Sequence, residues 1–287
     1  MKENKEISKE SLCDAIKNGM ALKDIPECFW SDYKIALTAV KESAEALEYA
    51  SLSIRDNKEF ILESVNKYPK ILRYVSSRLQ DDKDVVLKAV KQYCWVLYYA
   101  SDKLRDDKEV VLEAVKQNGL VLRYASDRLR NDKEIVLTAV KQDGNALQYA
   151  SKELRDDKEL VLEAVKKTGK VLQYASKDLR NDKEVVLEAV KQDGCSLKYA
   201  PYELRNDKEV VLEAVKQDGL ALFYVLAKLL KDKEVVLEAV KQNGMAFEHA
   251  SCKLRDDKDV GLVAAKQNIN SVIFASAKVR KNIQDKL

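Results

Sequence analysis

Residues 106–130 read DDKEVVLEAVKQNGLVLRYASDRLR. Val111, Ala114 and Val115 fall on one face at helical spacing, and Val110 and Leu112 widen that stripe. Lys108, Glu109, Glu113 and Lys116 fall on the opposite, solvated face. Asp106 followed three residues later by Glu109 has the pattern of a capping box, which predicts a helix over about 107–117. Asn118-Gly119 predicts its end, with the glycine in the left-handed conformation that closes many helices. The same dipeptide also begins β-hairpin turns, but the helical period on both sides of it argues against strands. Val121, Leu122 and Ala125 predict a second, short helix over about 120–126. Leu129 adds an anchor, and a turn or a single turn of 3₁₀ helix leads to the next cap.

This pattern recurs. Tyr49, Tyr74, Tyr99, Tyr124, Tyr149, Tyr174, Tyr199 and Tyr224 are spaced by 25 residues, and His249 and Phe274 continue the series. KEVVLEAV stands at 108–115, 183–190, 208–215 and 233–240. The frame 31–280 holds ten units of 25 residues without insertion or deletion. Neither predicted helix is long enough to be stable alone, and one unit buries too little surface to fold. Stacking of neighbours completes the core. The expected fold is therefore all-α, an elongated α-solenoid of ten two-helix repeats. Residues 1–30 read as a degenerate N-terminal capping repeat: Gly19, Leu22 and Phe29 keep the frame, while Pro26 and Asp14 depart from it. Residues 281–287 read as a C-terminal tail that breaks off where another helix would begin. Pro69, Cys94 and Ile269 replace the glycine.

Composition agrees with this frame. The 287 residues include only 8 glycines and 3 prolines, too few for a large sandwich or a dinucleotide-binding sheet. Lys plus Arg is 51 and Asp plus Glu 48, a net charge of +3 with the signs mixed along the chain. That describes salt-laced helix faces rather than a nucleic-acid footprint. The five cysteines lack metal-ligand spacing and predict free thiols in a reducing compartment. A single histidine, His249, excludes a multi-histidine metal site. The N-terminal MKENKEISKESL has no apolar run behind its lysines, and no run approaches membrane length. The expectation is a cytoplasmic protein without membrane insertion, residing in the producing cell or in a host cell it reaches by a non-classical route.

Uniform positions hold the scaffold and variable ones are free to encode a partner. The tyrosine ladder reads as an inter-repeat core rung rather than a base-stacking platform. Of the arginines 55, 105, 130, 155, 180, 205, 255 and 280, all but Arg280 precede an acidic or amide residue, so pairing with neighbouring carboxylates outweighs a phosphate track. The candidate partner-binding residues are Arg73, Trp95, Tyr98, Leu120, Arg123, Leu220 and Phe223. Trp95 with Tyr98 and Leu220 with Phe223 stand one turn apart as interface anchors. The carboxylates recur in every unit as caps, Cys195 has no evident base, and no phosphate-binding loop is present. No catalytic, cofactor-binding or metal site, no small-molecule substrate and no enzyme activity is therefore expected.

The DKEVVLEAVKQ and L-x-Y-A-S-x-x-L-R elements resemble an uncharacterised helical repeat family catalogued as a domain of unknown function, whose domain is similar to about two of these units. The resemblance covers 31–280 and implies no activity or catalytic residues. Members occur in intracellular bacteria, protists and large viruses, which implies a host-interaction role. Ankyrin, tetratricopeptide and HEAT repeats differ in period and signature. The expected function is a non-catalytic scaffold binding a protein or peptide. A nucleic-acid-binding solenoid and a purely structural, self-associating array are the alternatives.

Overall fold

A computed structural model describes residues 8–284, of which the Gln284 side chain is not described. Every regular element among them is helical. The chain divides into two compact regions, Met1–Thr138 and Ala139–Leu287. In the first, the helices Lys9–Lys17, Tyr33–Glu42, Lys58–Ser64, Lys83–Gln92 and Lys108–Gln117 each pack on the next. In the second, Lys158–Lys167, Lys183–Gln192, Lys208–Gln217, Lys233–Gln242 and Lys258–Gln267 do the same. The helix Lys133–Gln142 spans the division. After each long helix come a 3₁₀ helix and a further short helical segment, so each period carries three helical pieces.

The apolar stripe lies inside as expected. Val110, Val111, Ala114, Val115, Val121, Leu122 and Leu129 are fully buried, and most equivalent residues of the other periods are buried too, while Leu112 and Val272 are half-buried. Four expectations need correction.

The first concerns the cap. The N-cap of Lys108–Gln117 is Asp107, whose carboxylate accepts the amides of Glu109 (3.0 Å) and Val110 (3.1 Å). Asp82, Asp182, Asp207, Asp232 and Asp257 do the same for their helices. Asp106, the residue predicted to cap, instead closes the preceding short helix Asp102–Arg105. Glu109 makes no capping box, because its carboxylate is taken by Lys83 at 2.8 Å.

The second concerns the two short pieces. The segment predicted as a second α-helix is the 3₁₀ helix Gly119–Tyr124, and the segment predicted as turn or 3₁₀ is one turn of α-helix, Asp127–Arg130. Three residues per turn put Gly119 and Leu122 inside and turn Arg123 outward, with Leu120 half-buried between them.

The third concerns the glycines. Gly144, Gly169, Gly194, Gly219 and Gly244 do not adopt positive φ; only Gly19 does, at 90°. A Cβ on Gly144 would lie 2.7 Å from the backbone oxygen of Ala164, and one on Gly244 2.5 Å from that of Ala264. The glycine is there because the next helix comes close, not because the chain turns sharply. The 3₁₀ helix is begun by the extended residue before it: Asp193 accepts the amide of Cys195 at 3.0 Å.

The fourth concerns the ends. The N-terminal residues 8–30 keep the three-piece order, Lys9–Lys17, Leu22–Asp24 and Glu27–Phe29. Leu22 and Phe29, however, are only half-buried, and Trp30 and Ile25 fill the core instead. Residues 1–7 of that predicted repeat lie outside the described residues. The predicted break at 281 is absent, because Ala277–Gln284 runs through it with Val279 and Ile283 buried. Residues 285–287 lie outside the described residues.

Candidate functional site

Three polar links join successive periods and fix where the remaining side chains stand. The first is a lysine clamp. Lys83 reaches Asp107 and Glu109, both at 2.8 Å, and Lys183 reaches Asp207 (2.7 Å) and Glu209 (2.8 Å). Each lysine thereby neutralises the N-cap aspartate of the next helix. Burial pushes the Asp107 carboxyl up, but Lys83 and the amides of Val110 and Glu109 outweigh it and hold the group below its ordinary range. Hydrogen bonds to Asp107 and Glu109 raise Lys83 in turn.

The second link is a backbone bond: Ser126 donates its amide to the carbonyl of Arg105 (2.9 Å), and Ser176 to that of Arg155 (2.9 Å). The third is the serine side chain. Ser101 Oγ donates to Asp81 (2.6 Å) while accepting the amide of Leu104 (3.3 Å), so one hydroxyl both caps a short helix and holds the previous period. Ser76 with Asp56, Ser126 with Asp106, and Ser276 with Asp256 repeat the side-chain contact.

The arginine series is placed by the same geometry. Arg105 pairs with Asp102 and Arg130 with Asp127, each across one helical turn, while Arg205 Nε donates to the carbonyl of Tyr224 at 2.9 Å. The predicted carboxylate pairing is therefore local, with the aspartate three residues before, rather than with the adjacent cap.

The tyrosine ladder is not a core rung. Tyr74, Tyr99, Tyr124, Tyr174, Tyr199 and Tyr224 are half-buried, and Tyr49 is 50% exposed. The rings lie at the edge of the 3₁₀ layer, where variable side chains pack on them. In the first region these rings form a cleft of about 550 Å³. Tyr74, Tyr99 and Tyr124 come from the ladder, Trp95 and Tyr98 from the 3₁₀ helix Cys94–Tyr99, and Tyr93 from the residue before it. The Tyr98 ring lies 5.1 Å from both Tyr99 and Tyr124, and Trp95 meets Tyr124 edge-on at 6.1 Å. Cations border the rings: Lys70 Nζ is 5.4 Å from the centre of Tyr93, and the Arg73 guanidinium 5.4 Å from that of Tyr74. Burial raises the Tyr74 hydroxyl above its usual value against the opposing Arg73 charge.

Of the seven candidates, Arg73, Trp95 and Tyr98 thus come together in one cleft. Arg123 lies over the Tyr124 ring at 5.1 Å, and Leu120 is half-buried; neither lines the cleft. Leu220 (40% exposed) and Phe223 (64% exposed) stand on the second region, where Phe223 packs edge-on against Tyr224 and His249, both at 5.1 Å. Sequence reasoning missed Tyr93. The signal was present, since Tyr93 stands in the frame of Asn118, Asp143 and Asp193, where a small polar residue starts the 3₁₀ helix.

Chemically the described residues offer binding groups. No group of three or more His, Cys, Asp or Glu among them is placed to hold a metal ion. Burial and a hydrogen bond to Asp218 (3.1 Å) push the Cys195 thiol up to about 11, which keeps it protonated at neutral pH. All five cysteines are free. No helix among the described residues is long and apolar enough to cross a membrane.

Comparison with curated proteins and with solved structures gives no match. Comparison with protein families gives one, over residues 4–55, 57–105, 107–155, 157–205, 182–230 and 232–280. Each matched segment spans about two periods of the sequence, and the first includes most of the stretch 1–30 that the repeat motifs fit poorly. With nearly its whole length matched, the chain belongs to the helical repeat family described as Domain of unknown function (DUF4116).

Proposed function

We propose that this helical repeat protein is a non-catalytic scaffold that binds a protein or peptide through its variable positions, with the aromatic cleft of the first region as the principal contact. The observation that carries this reading is Tyr98, a large ring 55% exposed beside Trp95 and flanked by Lys70 and Arg73. Large rings with a polar edge next to an arginine are the side chains that dominate binding energy at protein interfaces. Leu220 and Phe223 extend the same kind of surface on the second region. The frame of ten units over 31–280 supports the reading, because recurring joints leave the outward positions free to vary. A cytoplasmic location, in the producing cell or in a host cell, agrees with five free thiols.

Cations beside stacked rings also suit single-stranded nucleic acid, and one experiment separates the two. Protein carrying Trp95→Ser and Tyr98→Ser is compared with wild type for retention of partners from lysate, with and without nuclease. The scaffold reading expects a nuclease-resistant protein partner that the double variant loses. A nuclease-sensitive signal that weakens steeply with salt would replace it with the nucleic-acid reading. Unchanged capture by the variant would remove the cleft from the binding surface.

A further inference from the structure

We propose that the recess between Leu230 and Ser251, in the second region, binds a peptide that presents an apolar side chain next to a carboxylate. The inference is independent of the aromatic cleft and rests on comparing one joint with its siblings.

In three joints of the first region an aspartate holds a serine and a cation together. Arg78 Nε meets Asp56 at 2.9 Å, Lys103 Nζ meets Asp81 at 3.4 Å and Arg128 Nε meets Asp106 at 3.0 Å. Ser76, Ser101 and Ser126 donate their hydroxyls to the same three carboxylates. The frame position of that aspartate is Lys231 in the later joint, while the serine is kept as Ser251 and the cation as Lys253. The backbone link survives, with Ser251 N donating to the Leu230 carbonyl at 3.1 Å. The side-chain network does not. Ser251 Oγ is buried without a hydrogen-bond partner and caps nothing. Neither Lys231 nor Lys253 makes an ion pair among the described residues. One hydroxyl and two lysines line this recess, where the three joints of the first region each supply an aspartate and this joint supplies a lysine in its place. A buried hydroxyl without an acceptor is costly, and two lysines lining one recess repel.

The wall beside this cluster has changed as well. In the joint of the first region, Asp102 and Arg105 pair and leave a recess of about 270 Å³. Their frame equivalents are Ala227 and Leu230, and the recess there is about 580 Å³. Ala227, Leu230 and Ala250 give it an apolar wall with the His249 ring beside them, and Lys231, Ser251 and Lys253 a basic and hydroxylic rim. A partner carboxylate supplies the missing acceptor while its neighbouring side chain fills the space left by the arginine. A phosphodiester backbone would meet the rim but gain nothing from the wall, so the occupant is a peptide.

The thiol of Cys252 lines the recess, is exposed, and is held below its usual range by Arg255, whose guanidinium lies 3.4 Å away. It therefore reports occupancy. The test uses the full chain and acetylated, amidated Gly-Glu-X-Glu-Gly peptides with X as Leu, Ile or Phe, followed by anisotropy of a fluorescein label. At least one should bind about tenfold or more tightly than its Gly-Gln-X-Gln-Gly counterpart, since charge-assisted hydrogen bonds are lost. The peptide should slow iodoacetamide alkylation of Cys252 and leave the exposed Cys28 unaffected. Restoring the sibling residues with Leu230→Arg plus Lys231→Asp should abolish binding while the urea midpoint stays level or rises, so loss of binding is not loss of fold. Absence of binding by all three peptides at millimolar concentration would overturn the proposal. So would equal affinity for the glutamine peptides, full binding by the restored double variant, or tighter binding of an oligothymidylate.

Discussion

Gly219 in the second region and Cys94 in the first begin the same 3₁₀ helix of their period, but the joints behind them differ. A Cβ on Gly219 would run into the backbone oxygen of Ala239, 20 residues on, and come within 2.9 Å of Gln242 Oε1. The amide of Gly219 donates to that Gln242 oxygen at 2.6 Å. Gly194 with Gln217 and Gly244 with Gln267 repeat the bond. Cys94 carries a Cβ at the place where Gly219 has none. Gln117, in the frame of Gln242, donates to the carbonyl of Val90 at 2.8 Å, deeper along the preceding helix. One repeat plan therefore has two grades of joint: a tight one, in which a backbone carbonyl abuts a bare Cα, and a looser one that accepts a side chain. Loss of glycine in the sequence marks the looser grade.

The largest test of this contrast exchanges side-chain size at the two sites. Gly219→Val should cost about 3 kcal/mol, because the colliding atom is backbone and cannot rotate away. Cys94→Ala should cost about 1 kcal/mol, the usual price of a small buried deletion. Urea unfolding of the full chain measures both, and hydrogen exchange should place the Gly219→Val effect between 219 and 243. Equal costs at the two sites would erase the distinction between joints.

The caps test the opposite side of the comparison, since they do not differ between regions. Asp107 and Asp207 each hold two amides and one lysine. Asp107→Ala and Asp207→Ala should therefore lower stability alike, by about 1–2 kcal/mol. Asn206→Ala, one residue before the true cap, should cost only a few tenths of that range. If Asn206→Ala were the more damaging change, the assignment of the cap would be wrong.

How much of this was legible in the residues follows from which forces act locally. The period, the long helix and its buried face were readable because apolar spacing is a property of a few consecutive residues. The cap was misread by one position because consecutive acidic residues, as in Asp106-Asp107, satisfy the same local pattern. Only contacts from residues distant in sequence, Ser126 and Arg128 on Asp106 and Lys83 on Asp107, tell them apart. The glycines were misread for a related reason: a residue needed for close approach looks like one needed for positive φ until the approaching carbonyl is placed. Of the candidate site, Arg73, Trp95 and Tyr98 were found as departures from uniformity. Tyr93 and the altered joint at Leu230 and Lys231 were departures too, but their meaning required the partners from the adjoining period.

Acidity should move both regions in the same direction by a smaller amount per site. The folded-state pKa of Asp107 and Asp207 is depressed, so their contribution is present above the ordinary carboxylate value, about 3.9, and is lost as pH falls through the lowered value. The lysines Lys83 and Lys183 are raised, so their contribution is present below about 10.4 and is lost as pH climbs through the raised value. Urea midpoints should be level near neutrality and fall at both extremes, more at low salt than high because the lysine partners are solvated. Lys183→Met should flatten the acid limb. An unchanged limb in that variant would mean that the clamps contribute nothing.

The smallest expected effect completes the comparison at the last glycine frame. Ile269 occupies that frame and is 59% exposed, and the one helix that follows it, Ala277–Gln284, begins eight residues on. Among the described residues no helix equivalent to Lys233–Gln242 follows it at the usual spacing, and its side chain is exposed. If glycine is required only by the approach of such a helix, Ile269→Gly should change stability by no more than about 0.5 kcal/mol. If glycine were instead required to end the helix Lys258–Gln267, the same substitution would stabilise the protein by supplying a preferred terminator. A clear rise in the urea midpoint of Ile269→Gly would thus return the glycines to the role that the sequence first suggested.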